Sequence, residues 1–359
     1  MAAGVPAISC ATCDGNWHWD CCFTILPGSI GDAMTLLRRI VGIGLILVFG
    51  VFLYTTITHK MADASTLALS PRAMPLLLSF IGMVLWVMMY ELAWEWLLRK
   101  VCLPGASLAW TITGHAFFTS LLARYTPGQV WQMLVRVEAL KEHHIPRQAT
   151  LRSVLYEQLH FLGATLVYAF LLSPFFWTTL LGDIPLALLF LVFLAAIGGV
   201  SMWLFTPHHV MHVVNLVSAT LTRKKFSAPL TMSGTRGQWH MSFGLFFVLV
   251  LLQSGVLYPL IRDLLPSTLS LTLTQWIVLL GAYPLARMIG QLAVIFPGGL
   301  GVREGVYVLL LLPLVEGQIG SVIAVWARLL QLGAELLMWL CFGGLRLTAR
   351  LSTDASQRK

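Results

Sequence analysis

The sequence predicts an all-α protein, a polytopic bundle of transmembrane helices with six to eight crossings and two Pro/Gly-interrupted segments that form a pseudo-repeat. Three observations carry that prediction. Of the 359 residues, 58% are hydrophobic and only 11% are charged, whereas a soluble domain carries about 25% charged residues. Apolar runs near or above the ~20 residues that cross a bilayer recur along the chain. Two runs end in Pro-Gly breaks with Arg close by, where an unbroken membrane helix would otherwise continue.

The elements follow in order. Residues 1–33 read as an extension, either a disordered tail or a non-native addition. They hold Cys10, Cys13, Cys21 and Cys22, but the spacing matches no standard zinc finger and no metal is expected. Residues 34–346 read as one transmembrane domain and 347–359 as a basic tail. The apolar spans expected are 36–57, 75–98, 150–173, 184–206, 241–262, 272–295 and 319–345. Glu91 and Glu95 sit near the end of the second span among Trp86, Tyr90, Trp94 and Trp96, which reads as an aromatic belt over a wet helix end. Residues 107–123 and 304–315 are short, and each either re-enters or forms a plain short helix. Residues 129–145 read as a charged amphipathic helix.

Lys and Arg cluster in the N-terminal flank, in 99–107, 123–150 and 207–239, and at the C-terminus. Loops 174–183 and 316–319 have neither. That asymmetry places both termini in the cytoplasm. It also accounts for the net charge of +8 through anionic lipid head groups, with no nucleic-acid partner expected. His208, His209 and His212 lie beside a span end without carboxylates and read as an interfacial loop. No cofactor motif stands out.

The two breaks echo each other. Tyr125-Thr126-Pro127-Gly128-Gln129-Val130 and Phe296-Pro297-Gly298-Gly299-Leu300-Gly301 each place Pro-Gly before a new helix, with Arg124 and Arg136 or Arg303 nearby. Paired interruptions in two halves point to a transporter's binding site. A helix start offers unpaired N–H groups to an anion, glycine admits close approach, and Arg forks onto phosphate oxygens. Ordinary Pro/Gly turns between helices are the alternative.

Charge inside the membrane is the second clue, because Arg at a helix centre costs about 2.5–3.5 kcal/mol on insertion scales. Glu157, Arg287, Arg328 and Glu335 therefore need partners or a cavity. Arg328, Gln331 and Glu335 share one helical face at i, i+3 and i+7, and Arg287 and Gln291 share another. Both stripes are expected to face inward, with Glu304 or Glu335 paired to an Arg. Such residues either hold the bundle together or line a cavity.

The run Pro297-Gly298-Gly299-Leu300-Gly301-Val302-Arg303-Glu304-Gly305 resembles the signature of the membrane region of bacterial lysylphosphatidylglycerol synthases and related flippase-like proteins. Tyr125-x-Pro127-Gly128-x-Val130-Trp131, then Arg136 and Glu157, resemble that family's first-half motif. Gln158 departs from the Arg common there. The resemblance covers roughly residues 35–345. The full-length synthases follow this region with an aminoacyl-transferase domain. This sequence ends at Lys359, so the activity implied is movement of a lipid between leaflets, not aminoacylation. An anionic phospholipid or lipid-linked glycan is the implied substrate, the bacterial inner membrane the implied location, and envelope-synthesis enzymes the implied partners. A non-transporting accessory subunit and a membrane-embedded transferase stay open beside it. The head-group cavity expected from motif and charge together comprises Tyr125, Pro127, Gly128, Arg136, Glu157, Arg287, Pro297, Gly298, Gly299, Gly301, Arg303, Glu304, Arg328 and Glu335, with Arg303 and Arg136 on the phosphate.

Overall fold

The computed structural model describes residues 71–103, 108–126, 130–181, 235–293 and 296–357. The extension 1–33, the expected spans 36–57 and 184–206, the loop holding His208, His209 and His212, and Pro127 and Gly128 of the first break lie outside the described residues. The described residues form helices and turns and no strand.

Among the described residues, four long helices are apolar enough to cross a membrane: α1 (Ala73–Leu97), α4 (Arg147–Leu181), α5 (Arg236–Val256) and α9 (Gly317–Gln357). Shorter helices lie between them: α2 (Trp110–Ala123), α3 (Val130–Lys141), α6 (Tyr258–Leu264), α7 (Leu273–Leu292) and α8 (Val302–Leu311). The start signals are local. Thr235 with Gln238, and Thr272 with Gln275, form capping boxes that open α5 and α7. Pro75 sits in the first turn of α1, where its missing N–H costs nothing. Pro259 is the second residue of α6, in the first turn where its missing N–H costs nothing.

The side-chain distribution identifies the solvent. Along α1 the face with Trp86, Tyr90, Glu91, Trp94 and Glu95 is buried, while Leu77, Leu78, Ile81, Leu85, Met89 and Leu92 are exposed. A helix in water would turn those aliphatic residues inward. A helix in lipid has no reason to, and packs its polar and aromatic residues together instead.

The short helices make hairpins. At 14 residues α2 is about 21 Å long, well under the ~30 Å hydrocarbon thickness. The chain turns at Arg124, and α3 packs back on α2. Likewise α8 folds back on α7, and α2 and α8 both pack on α9. The second break is thus the turn of one helical hairpin, α7 and α8, while α2 and α3 form another; α2 and α8 rest on the same long helix.

Several ends differ from expectation. α4 runs through Pro174 to Leu181, so 174–181 is helix where a loop was expected; the apolar stretch beyond the proline holds no glycine and continues the spiral. At α1 the helix carries on as a π-turn over Leu98–Cys102. The basic tail is helical as far as Gln357.

Glycine fit locates one tight helix contact. A Cβ on Gly114 of α2 would fall 2.0 Å from the Phe342 ring of α9. That ring is held by Trp110 and Phe118, with centroids 4.8 and 5.0 Å away. Gly244 of α5 has open space around it. Gly114→Ala is expected to cost about 1–3 kcal/mol through overpacking, while Gly244→Ala is neutral or gains up to about 1 kcal/mol of helix propensity. Thermal unfolding of the two variants in detergent checks the contrast.

Candidate functional site

The second break is built from glycine geometry. After α7 ends, a 3₁₀ turn covers Pro297–Gly299, and Gly298, Gly299 and Gly301 all take positive φ (57°, 70° and 78°). Only glycine adopts these angles without strain. Space demands glycine as well. A Cβ on Gly299 would lie 2.5 Å from the Gly290 carbonyl of α7, and one on Gly298 would lie 2.7 Å from the Tyr125 ring. Tyr125 belongs to the first break, so the two breaks touch.

The start of α8 is already partly occupied. The Gly301 N–H donates to Glu304 Oε2 at 2.8 Å, the carboxylate half of a capping box. Any anion at this helix start would share it with the first-turn acid of α8.

Side chains on α9 join the two breaks. Glu335 accepts hydrogen bonds from Arg124 Nη2 (2.6 Å), Tyr125 Oη (2.8 Å) and Gln331 Nε2 (2.6 Å). Gln331 Oε1 in turn accepts from Arg303 and, at 3.3 Å, from Tyr283. Arg328 donates Nη2 to the Gly298 carbonyl at 3.2 Å, and its Nε lies 3.6 Å from Glu304 Oε1. Arg328 also sits over the Tyr125 ring and Arg303 over Tyr283. Arg328, Gln331 and Glu335 all face the interior.

Arg136 and Glu157 form a separate pair, in which Arg136 Nη2 and Glu157 Oε1 have no hydrogen-bond partner. They pair directly, and Arg136 Nε donates to Ser120 Oγ at 2.9 Å. The guanidinium lies 4.4 Å from the Trp94 ring centroid and 4.5 Å from that of Phe117, and both charged side chains are fully buried. Arg136 is thus neutralised and enclosed as a bracket between α2, α3 and α4.

Arg287 is the opposite case. It is 2% exposed and packs over Trp86, Phe161 and Tyr90, with ring centroids 4.3, 4.9 and 5.5 Å away. Its Nε and Nη1 have no hydrogen-bond partner, and among the described residues no carboxylate pairs with it. Arg124, Arg303 and Glu335 lie within electrostatic range.

The region therefore holds four guanidiniums, Arg124, Arg287, Arg303 and Arg328, against two carboxylates, Glu304 and Glu335. The excess is positive, and several donors are unmet: Arg303 Nη2, Arg328 Nε and the Tyr307 hydroxyl lack hydrogen bonds in addition to Arg287. A narrow crevice of about 10 Å³, room for roughly one water, between α7, α8 and α9 is lined by Tyr283, Arg303, Glu304, Tyr307, Ala324 and Arg328. Chemically, such a place suits an anion that accepts several hydrogen bonds.

Other residues behave differently from their sequence reading. Glu91 and Glu95 are buried, not at a wet helix end. α2 covers them: Trp110 Nε1 donates to Glu91 at 2.9 Å and Thr113 to Glu95 at 3.1 Å, while Arg99 reaches Glu95 at 2.5 Å. Trp86, Tyr90 and Trp94 are interior residues, and Trp86 and Tyr90 wrap Arg287 instead of marking an interface. Tyr283 and Tyr307 were not expected at the site. Tyr283 precedes Arg287 by one helical turn, a spacing that offered a signal.

No protein-family model matches the chain, and no curated protein matches it.

Glu335 is the partner that Arg124 and Tyr125 share. Glu335→Gln leaves Arg124 buried without an anion and is expected to cost about 3–5 kcal/mol. Glu304→Gln keeps the cap, removes only a long and partly exposed ion pair, and is expected to cost less than about 1 kcal/mol. Thermal melts of both variants in one detergent give the comparison.

Proposed function

We propose that this protein is a flippase-like lipid transporter of the bacterial inner membrane, carrying an anionic phospholipid or a lipid-linked glycan between leaflets during envelope biogenesis. The observation that carries the reading is the unmatched positive charge at membrane depth, four guanidiniums against two carboxylates, with unmet donors on Arg287, Arg303 and Arg328. A bundle that only needed to hold together would match its buried charges, since an uncompensated one is costly. A lipid phosphate supplies what is missing. It brings negative charge and several acceptor oxygens, which Arg binds in its forked geometry.

In this reading the crevice beside Arg303, Arg328 and Tyr307 widens to admit the phosphate, while Arg287 adds its field from α7. Acyl tails remain in the bilayer. Access changes where Gly298 meets Tyr125, because that contact closes one hairpin turn on the other. The full bundle has six to eight crossings with both termini cytoplasmic, and movement needs no nucleotide. The resemblance of both breaks to the lysylphosphatidylglycerol synthase membrane region supports this assignment.

Leaflet exchange of fluorescent anionic lipids in proteoliposomes tests it. The protein is expected to accelerate exchange over empty liposomes. Arg287→Met should hold or raise the melting temperature, because it removes a buried cation with no anionic partner among the described residues. The same change should slow exchange about tenfold or more. No acceleration with any of several anionic head groups would sink the proposal.

A further inference from the structure

The end of α1 holds a carboxyl group that the candidate site does not use. Glu91 is fully buried. Its Oε2 accepts from Trp110 Nε1 at 2.9 Å, and its Oε1 has no hydrogen-bond partner. No cation pairs with it among the described residues. The nearby Arg99 is engaged by Glu95 and by the Leu108 carbonyl, both at 2.5 Å. Glu95 itself adds a like charge one turn away from Glu91.

The other helices packed on α1 do not supply the missing cation. Arg136 of α3 lies within electrostatic range, but it pairs with Glu157 of α4. On α9 the acid is Glu335, which Arg124 holds, and it is the Phe342 ring that meets Trp110. The titratable groups of α5 are Arg236 and His240, both exposed. Those of α6 lie at the opposite end of α1, where Asp263 meets Arg72. His115 of α2 lies about 200° around that helix from Thr113, away from the two acids.

These same acids fasten α2 to α1. Trp110 donates to Glu91, Thr113 donates to Glu95, and Arg99 holds Leu108 just ahead of the helix. Trp110 is 36% exposed, so its ring is what stands between Glu91 and the surroundings. An ionised Glu91 would be a buried anion without a cation, which is costly. A proton on Oε1 removes the charge and leaves Oε2 free to accept from Trp110.

We propose that Glu91 is a proton-binding site coupled to α2: it holds one proton while α2 is seated on α1 and yields it to water when α2 lifts. Seating takes that proton from water onto Oε1, and lifting returns it, so nothing else is consumed. The pH at the basic end of α1, beside Arg99 and Lys100, thereby biases the position of the hairpin of α2 and α3. The coupling does not rest on the lipid reading above and stands or falls apart from it.

Infrared spectroscopy of the full chain in nanodiscs at neutral pH tests the proton. Subtracting the Glu91→Gln spectrum from that of the unaltered protein should leave the C=O band of one carboxylic acid. The amide still accepts from Trp110, so the contact survives in the variant. Glu95→Gln, at an acid that has Arg99 as partner, should leave the band in place. Trp110→Phe keeps a ring against Phe342 but removes the N–H, and the band should move to higher frequency, a readout that does not need the Gln variant to fold. Hydrogen exchange of 110–123 tests the coupling. Exchange in the unaltered protein, divided by that in Glu91→Gln at the same pH, should rise with pH by up to about tenfold per pH unit, the limit for one linked proton. A spectrum without the band, or a band that neither Glu91→Gln nor Trp110→Phe alters, overturns the proton site. An exchange ratio flat across pH overturns its coupling to α2.

Discussion

The carboxylate of Glu335 is the contact on which the rest of the candidate site depends. It accepts from Arg124, Tyr125 and Gln331, and Gln331 passes the connection to Arg303 and Tyr283. One side chain on α9 thereby ties the turn of the first hairpin to the start of α8 in the second. Burial makes the tie strong. At low dielectric a matched charge gains more, and a group left without its partner loses more. The positions of Tyr125 against Gly298 and of Arg328 on the Gly298 carbonyl follow once the two hairpins are fixed to α9.

Around that tie the arginines divide into two kinds. Arg136 is paired with Glu157, hydrogen-bonded to Ser120 and sandwiched between aromatic rings, with one donor, Nη2, left over. Arg287, Arg303 and Arg328 retain donors with nothing to bind. The distinction is one of charge: Arg136 has a carboxylate partner, and Arg287 has none among the described residues. Aromatic faces make the second kind tolerable, since Trp86, Phe161 and Tyr90 stabilise the Arg287 guanidinium without neutralising it.

Much of the site was legible because it is local in sequence. The three positive-φ glycines follow from the Pro297–Gly301 run, and the inward stripe of Arg328, Gln331 and Glu335 follows from helical spacing. What was not legible depends on how one helix is rotated against another. Arg124 and Glu335 are 211 residues apart, and nothing in either segment names the other. Glu91 and Glu95 lie near the basic end of an aromatic-rich span, which suggested water. Trp110 and Thr113 of α2, a helix too short to be read as their cover, bury them instead.

By itself the sequence determined the solvent and the breaks. Apolar runs of membrane length demand lipid, and Pro-Gly clusters end helices wherever they fold. It also determined which residue types would sit in the interior, because ionisable groups on a membrane helix have nowhere else to go at acceptable cost. Tertiary structure alone decided which arginine was matched and which was left over. That outcome depends on the angle and depth at which α2, α7, α8 and α9 meet, and a difference of one helical position exchanges a paired guanidinium for an unpaired one.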